Sequence, residues 1–172
     1  PAAAVVEGKI LVTGGGDTDE TWTKKTVLYN KSLDEWTQRA SIPQSRTSAF
    51  NSTVTHGNLV YVLARQDFLV YDVALDEWTT LAPPPTPLYH CAMLLHNDTL
   101  LVMGGCDNTI HGNNPIGRVQ RYNPRTHTWT VESRSMATPL SSHYACAMQL
   151  PVTALVSPAH SMHHHALITK AM

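Results

Sequence analysis

Apolar residues in this chain occur in short runs that turn residues separate. Examples are 10–12, 59–63 and 100–103, the first two introduced by Gly8 and Gly57. Continuous apolar runs of this length, bounded by turn residues, are typical of strands that are buried on both faces. No stretch keeps a 3.6-residue period over enough length to predict a helix. The pattern therefore predicts an all-β protein.

A sequence repeat organises these strands. The pentapeptide Leu-Asp-Glu-Trp-Thr at 33–37 recurs unchanged at 75–79, and a third, looser copy occupies 127–130. A Tyr followed by Asn or Asp stands seven residues before each Trp, at Tyr29, Tyr71 and Tyr122. Self-similarity at a period of 40 to 50 residues indicates a repeat architecture.

Each repeat is predicted to contain four strands. The first is small and apolar, as in 2–6, 49–55, 91–95 and 146–150; the second is the long apolar run. The third strand ends at the Tyr, and the fourth carries the Trp. A four-stranded sheet cannot bury both of its faces alone, so the units are expected to stack around an axis as the blades of a propeller.

The repeated residues suit that packing. Paired glycines at 14–15 and 104–105 allow close approach of another backbone, and the second unit has Leu-Ala at 63–64 instead. We expect Trp36, Trp78 and Trp129 to occupy equivalent places in successive sheets, each largely buried in the wedge between neighbours.

The di-glycine, Tyr-Asn/Asp and Trp pattern resembles the kelch repeat. The WD-type repeat is set aside because Thr, not Asp, follows all three Trp residues. The resemblance implies an incomplete kelch β-propeller of about three four-stranded blades. The predicted units are 2–43, 44–85, 86–137 and the start of a fourth at 143–150. The tail 151–172 carries no repeat and is expected to be disordered.

Closure of the propeller is a problem for so few blades. Propellers hold about 4–8 blades, and three would leave raw sheet edges that pair with other chains. The chain is thus expected to be a fragment, an oligomer building block or poorly stable. Its start at Pro1, without the features of a signal peptide, favours a piece of a longer protein.

Composition excludes several function classes. With 12 Lys+Arg and 13 Asp+Glu, the formal net charge is -1, which argues against binding to nucleic acid or to an acidic membrane surface. No apolar run reaches the length of a membrane helix. The three widely spaced cysteines fit neither a disulfide framework nor a metal site and are expected to be reduced thiols in a cytosolic protein.

The resemblance implies a function in protein recognition. Many kelch proteins join BTB and BACK regions to a propeller, which captures a protein substrate while the BTB part engages a cullin-RING ubiquitin ligase. The expected role is therefore a substrate-recognition adaptor in the cytoplasm, with the BTB region outside this chain. The expected contacts are loop residues: Arg46, Tyr89, His90, Arg134, His143 and Arg65.

Two alternatives stay open. A cytoskeletal, actin-associated scaffold is also compatible with kelch repeats. More remotely, some secreted kelch-type propellers resemble galactose-oxidase-like copper enzymes, which need Tyr and His ligands on one metal. The pairs at 89–90 and 143–144 contain both types, but adjacent strand residues face opposite ways. No other catalytic motif supports an enzyme, so no metal or cofactor is expected.

Overall fold

Three four-stranded antiparallel sheets and one two-stranded sheet make up the part of the chain that the structure describes. A computed structural model describes residues 1–16, 22–43, 52–64, 67–106, 114–148 and 166–171. Over these residues, no helix is long and apolar enough to cross a bilayer.

The strands follow the repeat. Blade 1 consists of β1 (Ala2–Val6), β2 (Lys9–Thr13), β3 (Thr26–Asn30) and β4 (Glu35–Arg39). Blade 2 consists of β5 (Ser52–His56), β6 (Leu59–Ala64), β7 (Asp67–Asp72) and β8 (Glu77–Leu81). Blade 3 consists of β9 (Ala92–His96), β10 (Thr99–Met103), β11 (Val119–Asn123) and β12 (Thr128–Val131). A fourth sheet pairs β13 (His143–Met148) with β14 (Ala166–Ala171).

The blades have the arrangement of a propeller. Within each one, the strands lie side by side in sequence order. The first strands of successive sheets, β1, β5, β9 and β13, contact one another in that order. Stacked meandering sheets with their first strands adjacent are those of an incomplete β-propeller, so the predicted fold class is confirmed.

The Tyr-Asn/Asp motif closes the turn between the third and fourth strands. The Asn30 side chain accepts a hydrogen bond from Ser32 N at 3.0 Å, and Asp72 accepts one from Ala74 N at 2.9 Å. These are Asx turns, in which the side chain replaces a backbone acceptor. The Asn or Asp after each Tyr is therefore explained by turn chemistry.

Register aligns the repeated residues into one row across each sheet. In blade 1, Val5 lies opposite Ile10, Ile10 opposite Tyr29, and Tyr29 opposite Trp36. The equivalent rows are Thr55–Val60–Tyr71–Trp78 in blade 2 and Leu95–Leu100–Tyr122–Trp129 in blade 3. Residues directly opposite one another in antiparallel strands have their side chains on the same face of the sheet. Each row therefore crosses all four strands on one face of its blade.

Two cores fill the spaces between blades. Leu11 and Leu28 of blade 1 pack with Val60 and Tyr71 of blade 2, all of them buried. The next core joins blades 2 and 3 and contains the aromatic group Tyr61, Phe68, Tyr122 and Trp129. The second strand is buried on both faces in blades 2 and 3, as predicted, but Ile10 in β2 is exposed.

The tryptophans occupy equivalent places, but the prediction that each is largely buried is wrong. Trp78 and Trp129 are half-buried, and their indole N–H groups donate to Ala40 O and Ala82 O of the preceding blade at 2.9 and 2.8 Å. Trp36 is 58% exposed. Trp78 and Trp129 pack against the preceding blade, whereas among the described strands no sheet precedes blade 1.

The fourth sheet departs from the expectation of a disordered tail. β14 falls inside 151–172 and pairs with β13 along its whole length, His143 opposite Ala171. Because β13 offers backbone groups that need partners, a second strand satisfies them whether or not it continues the repeat. Residues 149–165 lie outside the described part of the chain.

Candidate partner-binding site

The longer connections lie at one end of the blades, which we call the loop end. Its described segments are 14–16, 22–25, 40–43, 82–91, 104–106, 114–118 and 132–142. The opposite end is closed by short turns between paired strands. Loops that a rigid β scaffold holds in place are common positions for binding residues.

Tyr89 is held at the loop end by its backbone. Tyr89 N donates to Cys106 O at 3.2 Å, and Cys106 N donates to Tyr89 O at 2.8 Å. Gly105, the residue before Cys106, has φ of +93°, and a Cβ added to it would stand 2.5 Å from Tyr89 O. Only glycine fits this position, so the paired glycines of blade 3 allow the close backbone approach that the sequence predicted.

His90 joins two loops. Its backbone lies in the left-handed region, with φ of +57°, and its carbonyl oxygen accepts a hydrogen bond from Ser142 N at 2.8 Å. Gly105 N donates to Leu140 O at 2.7 Å. Main-chain hydrogen bonds thereby join the loop 132–142 to the loop 82–91 and to the segment 104–106. Tyr89 and His90 remain partly exposed on the loop 82–91.

The other predicted contact residues divide into two groups. Arg134 is exposed in the loop 132–142, and His143 is the first residue of β13, directly after Ser142. The loop end thus brings together the backbone of Tyr89, His90 and His143. Arg46 and Arg65 lie outside the described residues.

The sequence pattern did not predict one residue that positions this site, Gln120. The Gln120 side chain is fully buried; its Nε2 donates to Thr86 O at 2.9 Å and its Oε1 accepts from Thr86 N at 3.0 Å. This clamp fixes the middle of the loop 82–91 against β11. A signal was present, because the first two repeats have Val27 and Leu69 at the equivalent position, two residues before the Tyr.

The buried thiol of Cys91, near this end, is unreactive. Burial raises the pKa of Cys91 to about 11, which keeps it protonated near neutral pH. A thiol in that state is a poor nucleophile and a poor metal ligand. Over the described ranges, no group of three His, Cys, Asp or Glu side chains is placed to hold a metal ion. What the loop end offers is fixed backbone carrying exposed polar and aromatic side chains.

Known proteins match this chain along its repeats. The Kelch motif model matches residues 87–135, which include all of blade 3 and the second half of the connection before it. Kelch-like protein terF from Aspergillus terreus is 32% identical over 152 residues, 77% of this chain and 32% of that protein.

Two further relatives extend this similarity. Beta-scruin from Limulus polyphemus is 34% identical over 145 residues, 74% of this chain and 16% of that protein. Kelch-like protein 35 from Mus musculus is 24% identical over 147 residues, 84% of this chain and 24% of that protein. The chain spans about a third or less of the length of these relatives.

Proposed function

We propose that this chain, an incomplete propeller of kelch repeats and a protein-interaction module, is the substrate-recognition part of a cullin-RING ubiquitin ligase adaptor. The loop end carries the proposal, since Tyr89 and His90 lie there on a loop that Ser142 N fixes to 132–142, the loop that carries the exposed Arg134. The similarity to Kelch-like proteins supports it. The ligase would be engaged by a BTB region outside these 172 residues, in the cytoplasm.

The loop end is suited to binding a protein surface. Tyr and Arg are enriched among the residues that dominate protein interfaces. Loops already fixed by main-chain hydrogen bonds lose little conformational entropy when a partner binds. The proposal requires no metal, cofactor or bond-making step from this chain.

A photo-cross-linking experiment tests where the partner binds. A photoreactive residue replaces Arg134 in the full-length parent polypeptide, and the matched control replaces Arg125, an exposed Arg in a turn at the opposite end. We expect an adduct from position 134 and none from position 125. The trapped protein should turn over more slowly when cellular cullin ligases are inhibited.

Alanine variants measure the strength of the contact. Tyr89→Ala and Arg134→Ala should each weaken capture of the trapped protein by about tenfold, the effect of about 1.4 kcal/mol at an interface anchor. Arg125→Ala should leave capture unchanged, and all three variants should keep the wild-type melting temperature within a few degrees.

Other outcomes separate the alternatives. Equal adducts from positions 134 and 125 would place binding elsewhere. A loop-end partner that is indifferent to cullin inhibition would contradict the adaptor role while keeping the interaction module. A filament protein as that partner would favour the cytoskeletal scaffold.

A further inference from the structure

Blades 1 and 2 present the same three side chains in the same geometry. The sets are Tyr29, Asp34 and Trp36 in blade 1, and Tyr71, Asp76 and Trp78 in blade 2. In each, the Tyr hydroxyl donates to the Asp carboxylate, at 2.7 and 2.5 Å. The Tyr and Trp ring centroids lie 5.0 and 4.9 Å apart. The two sets differ only in what lies against them.

In blade 2 the set holds the end of strand β4 of blade 1. Arg39 Nε donates to the Tyr71 hydroxyl at 3.1 Å and lies 3.4 Å from the Asp76 carboxylate. The next residue is held through its backbone: Ala40 N donates to Asp76 at 2.8 Å, and Ala40 O accepts from the Trp78 indole at 2.9 Å. The set therefore recognises an Arg followed by a small residue.

In blade 1 the same set is open to solvent. Val5, Ile10 and Trp36, which share one row with Tyr29, are 66%, 41% and 58% exposed. In blade 2, Val60 at the position of Ile10 and Tyr71 at the position of Tyr29 are fully buried. Because the Tyr29–Asp34 hydrogen bond is already formed, the open set is preorganised for an occupant.

Blade 3 shows which residue selects the occupant. His127 replaces the Asp, and its Nδ1 lies 2.9 Å from the Tyr122 hydroxyl. The strand end it faces has Leu81 where blade 1 has Arg39, while the following Ala82 still accepts the Trp129 indole hydrogen bond. Within this chain, a carboxylate accompanies Arg, an imidazole accompanies Leu, and the small residue stays the same.

We propose that Tyr29, Asp34 and Trp36 form an arginine-selective docking face for a further blade of the same polypeptide. That blade would precede blade 1 in chain order, and its outermost strand would end in Arg followed by a small residue. The relatives support this source, since the matched part is only 32% of the terF protein's length. The face continues the interface already formed between blades 1 and 2.

A second copy of this chain is a poor occupant. The strand end of blade 3 has Glu132 at the position of Arg39, so stacking it on blade 1 would bring a carboxylate to Asp34. Like charges in contact across an interface are strongly unfavourable. Glu132 is also paired with Arg121 at 2.6 Å, and β13 already packs on the far face of blade 3.

The parent sequence gives the first test. In this chain, Arg39 lies 13 residues before Ser52 at the start of β5, and Leu81 lies 11 before Ala92 at the start of β9. We expect Trp-x-x-Arg and a small residue at the same spacing, with the Arg 11 to 13 residues before Ala2. An acidic residue there, or a parent polypeptide with no such strand, would overturn the proposal.

A tandem chain tests the docking directly. Residues 1–51 are duplicated in front of the 172-residue chain, so that a second copy of Arg39-Ala40 can reach the open set. We expect the Trp36 indole N–H, assigned in NMR spectra with Trp36→Phe, to exchange with solvent about tenfold more slowly than in the original chain. The control carries Arg39→Glu in the added copy and should lose this protection.

A compensating pair tests the selection. With Asp34→His in the original blade 1, the Arg-bearing added blade should no longer protect the Trp36 indole N–H. Protection should return when the added blade carries Arg39→Leu, because this reproduces the pairing of blades 2 and 3. The Trp78 and Trp129 indole signals report whether the rest of the chain stays folded. Equal protection by Arg and Glu, or none by either, would overturn the proposal. So would dimerisation of the original chain with Trp36 protected.

Discussion

Blades 1 and 2 contain the same pentapeptide, yet their Trp residues have different environments. Trp78 packs in the core between the blades and donates its indole N–H to Ala40 O, whereas Trp36 is 58% exposed. The strands, the register and the Tyr–Trp ring geometry are alike in the two blades. A residue in a repeat protein is therefore stabilising only where the neighbouring repeat covers it.

The largest difference should come from truncating the two Trp side chains. Trp78→Ala should lower the free energy of unfolding by about 3 kcal/mol, at the lower end for large aromatic truncations because the ring is half-buried. Trp36→Ala should cost less than about 1 kcal/mol, since it removes little buried surface. Urea denaturation of both variants measures this; equal losses would contradict the role of the neighbouring blade.

The next largest difference in stability is expected between alanine substitutions of Gly105, which lies against the loop 82–91, and of Gly57, which lies in an open turn. Gly105→Ala should cost about 2–3 kcal/mol, because φ is +93° and the new Cβ would meet Tyr89 O. Gly57→Ala should cost about 1 kcal/mol, since φ is +64° but nothing lies within 4 Å. Thermal unfolding of both would show the difference, and a neutral Gly105→Ala would mean that Tyr89 is not held as described.

The smallest expected effect is on the loss of unfolding free energy as the pH is lowered. The pKa of Asp76 is lowered from 3.8, first by the Tyr71 hydroxyl, then by the Ala40 N–H and by Arg39. A lowered carboxyl pKa contributes stability above the unfolded value, and this contribution is lost as pH falls through the folded pKa. Between pH 5 and pH 3, Asp76→Asn should therefore lose less unfolding free energy than wild type, by under about 1 kcal/mol because the group is partly exposed.

A urea series at several pH values checks this, with Asp98→Asn as the control. Asp98 is an exposed carboxylate whose contacts are His56 and Arg125 at 3.4 Å, in blades 2 and 3. A pH profile of Asp76→Asn that matches the wild type would show that Asp76 does not connect blades 1 and 2 through its ionised form.

Much of the fold could be predicted from local pattern. Turn residues and apolar runs predicted the strands, and the Tyr-to-Trp spacing of seven predicted equivalent places, which register confirms by pairing Tyr29 with Trp36. The close approach at Gly105 was also expected from the paired glycines. These features depend on residues that are near one another in the sequence.

The candidate site was less predictable. Tyr89 and His90 were expected in the loop between blades, but their connection to the loop 132–142 through Ser142 N depends on main-chain geometry that side-chain types do not encode. The Gln120 clamp on Thr86 required knowing which face of β11 meets that loop. The role of these residues in binding a partner stays a prediction.

By itself, the sequence determined the class of fold, the order of strands and the repeated row that ends in Trp. Only the tertiary structure decided which copies of that row are covered. The reason is physical: a strand and its turn form from adjacent residues, whereas burial of Trp78 needs Ala40, which lies 38 residues away in another sheet. Trp36 carries the same local sequence and stays exposed because no described sheet meets its face.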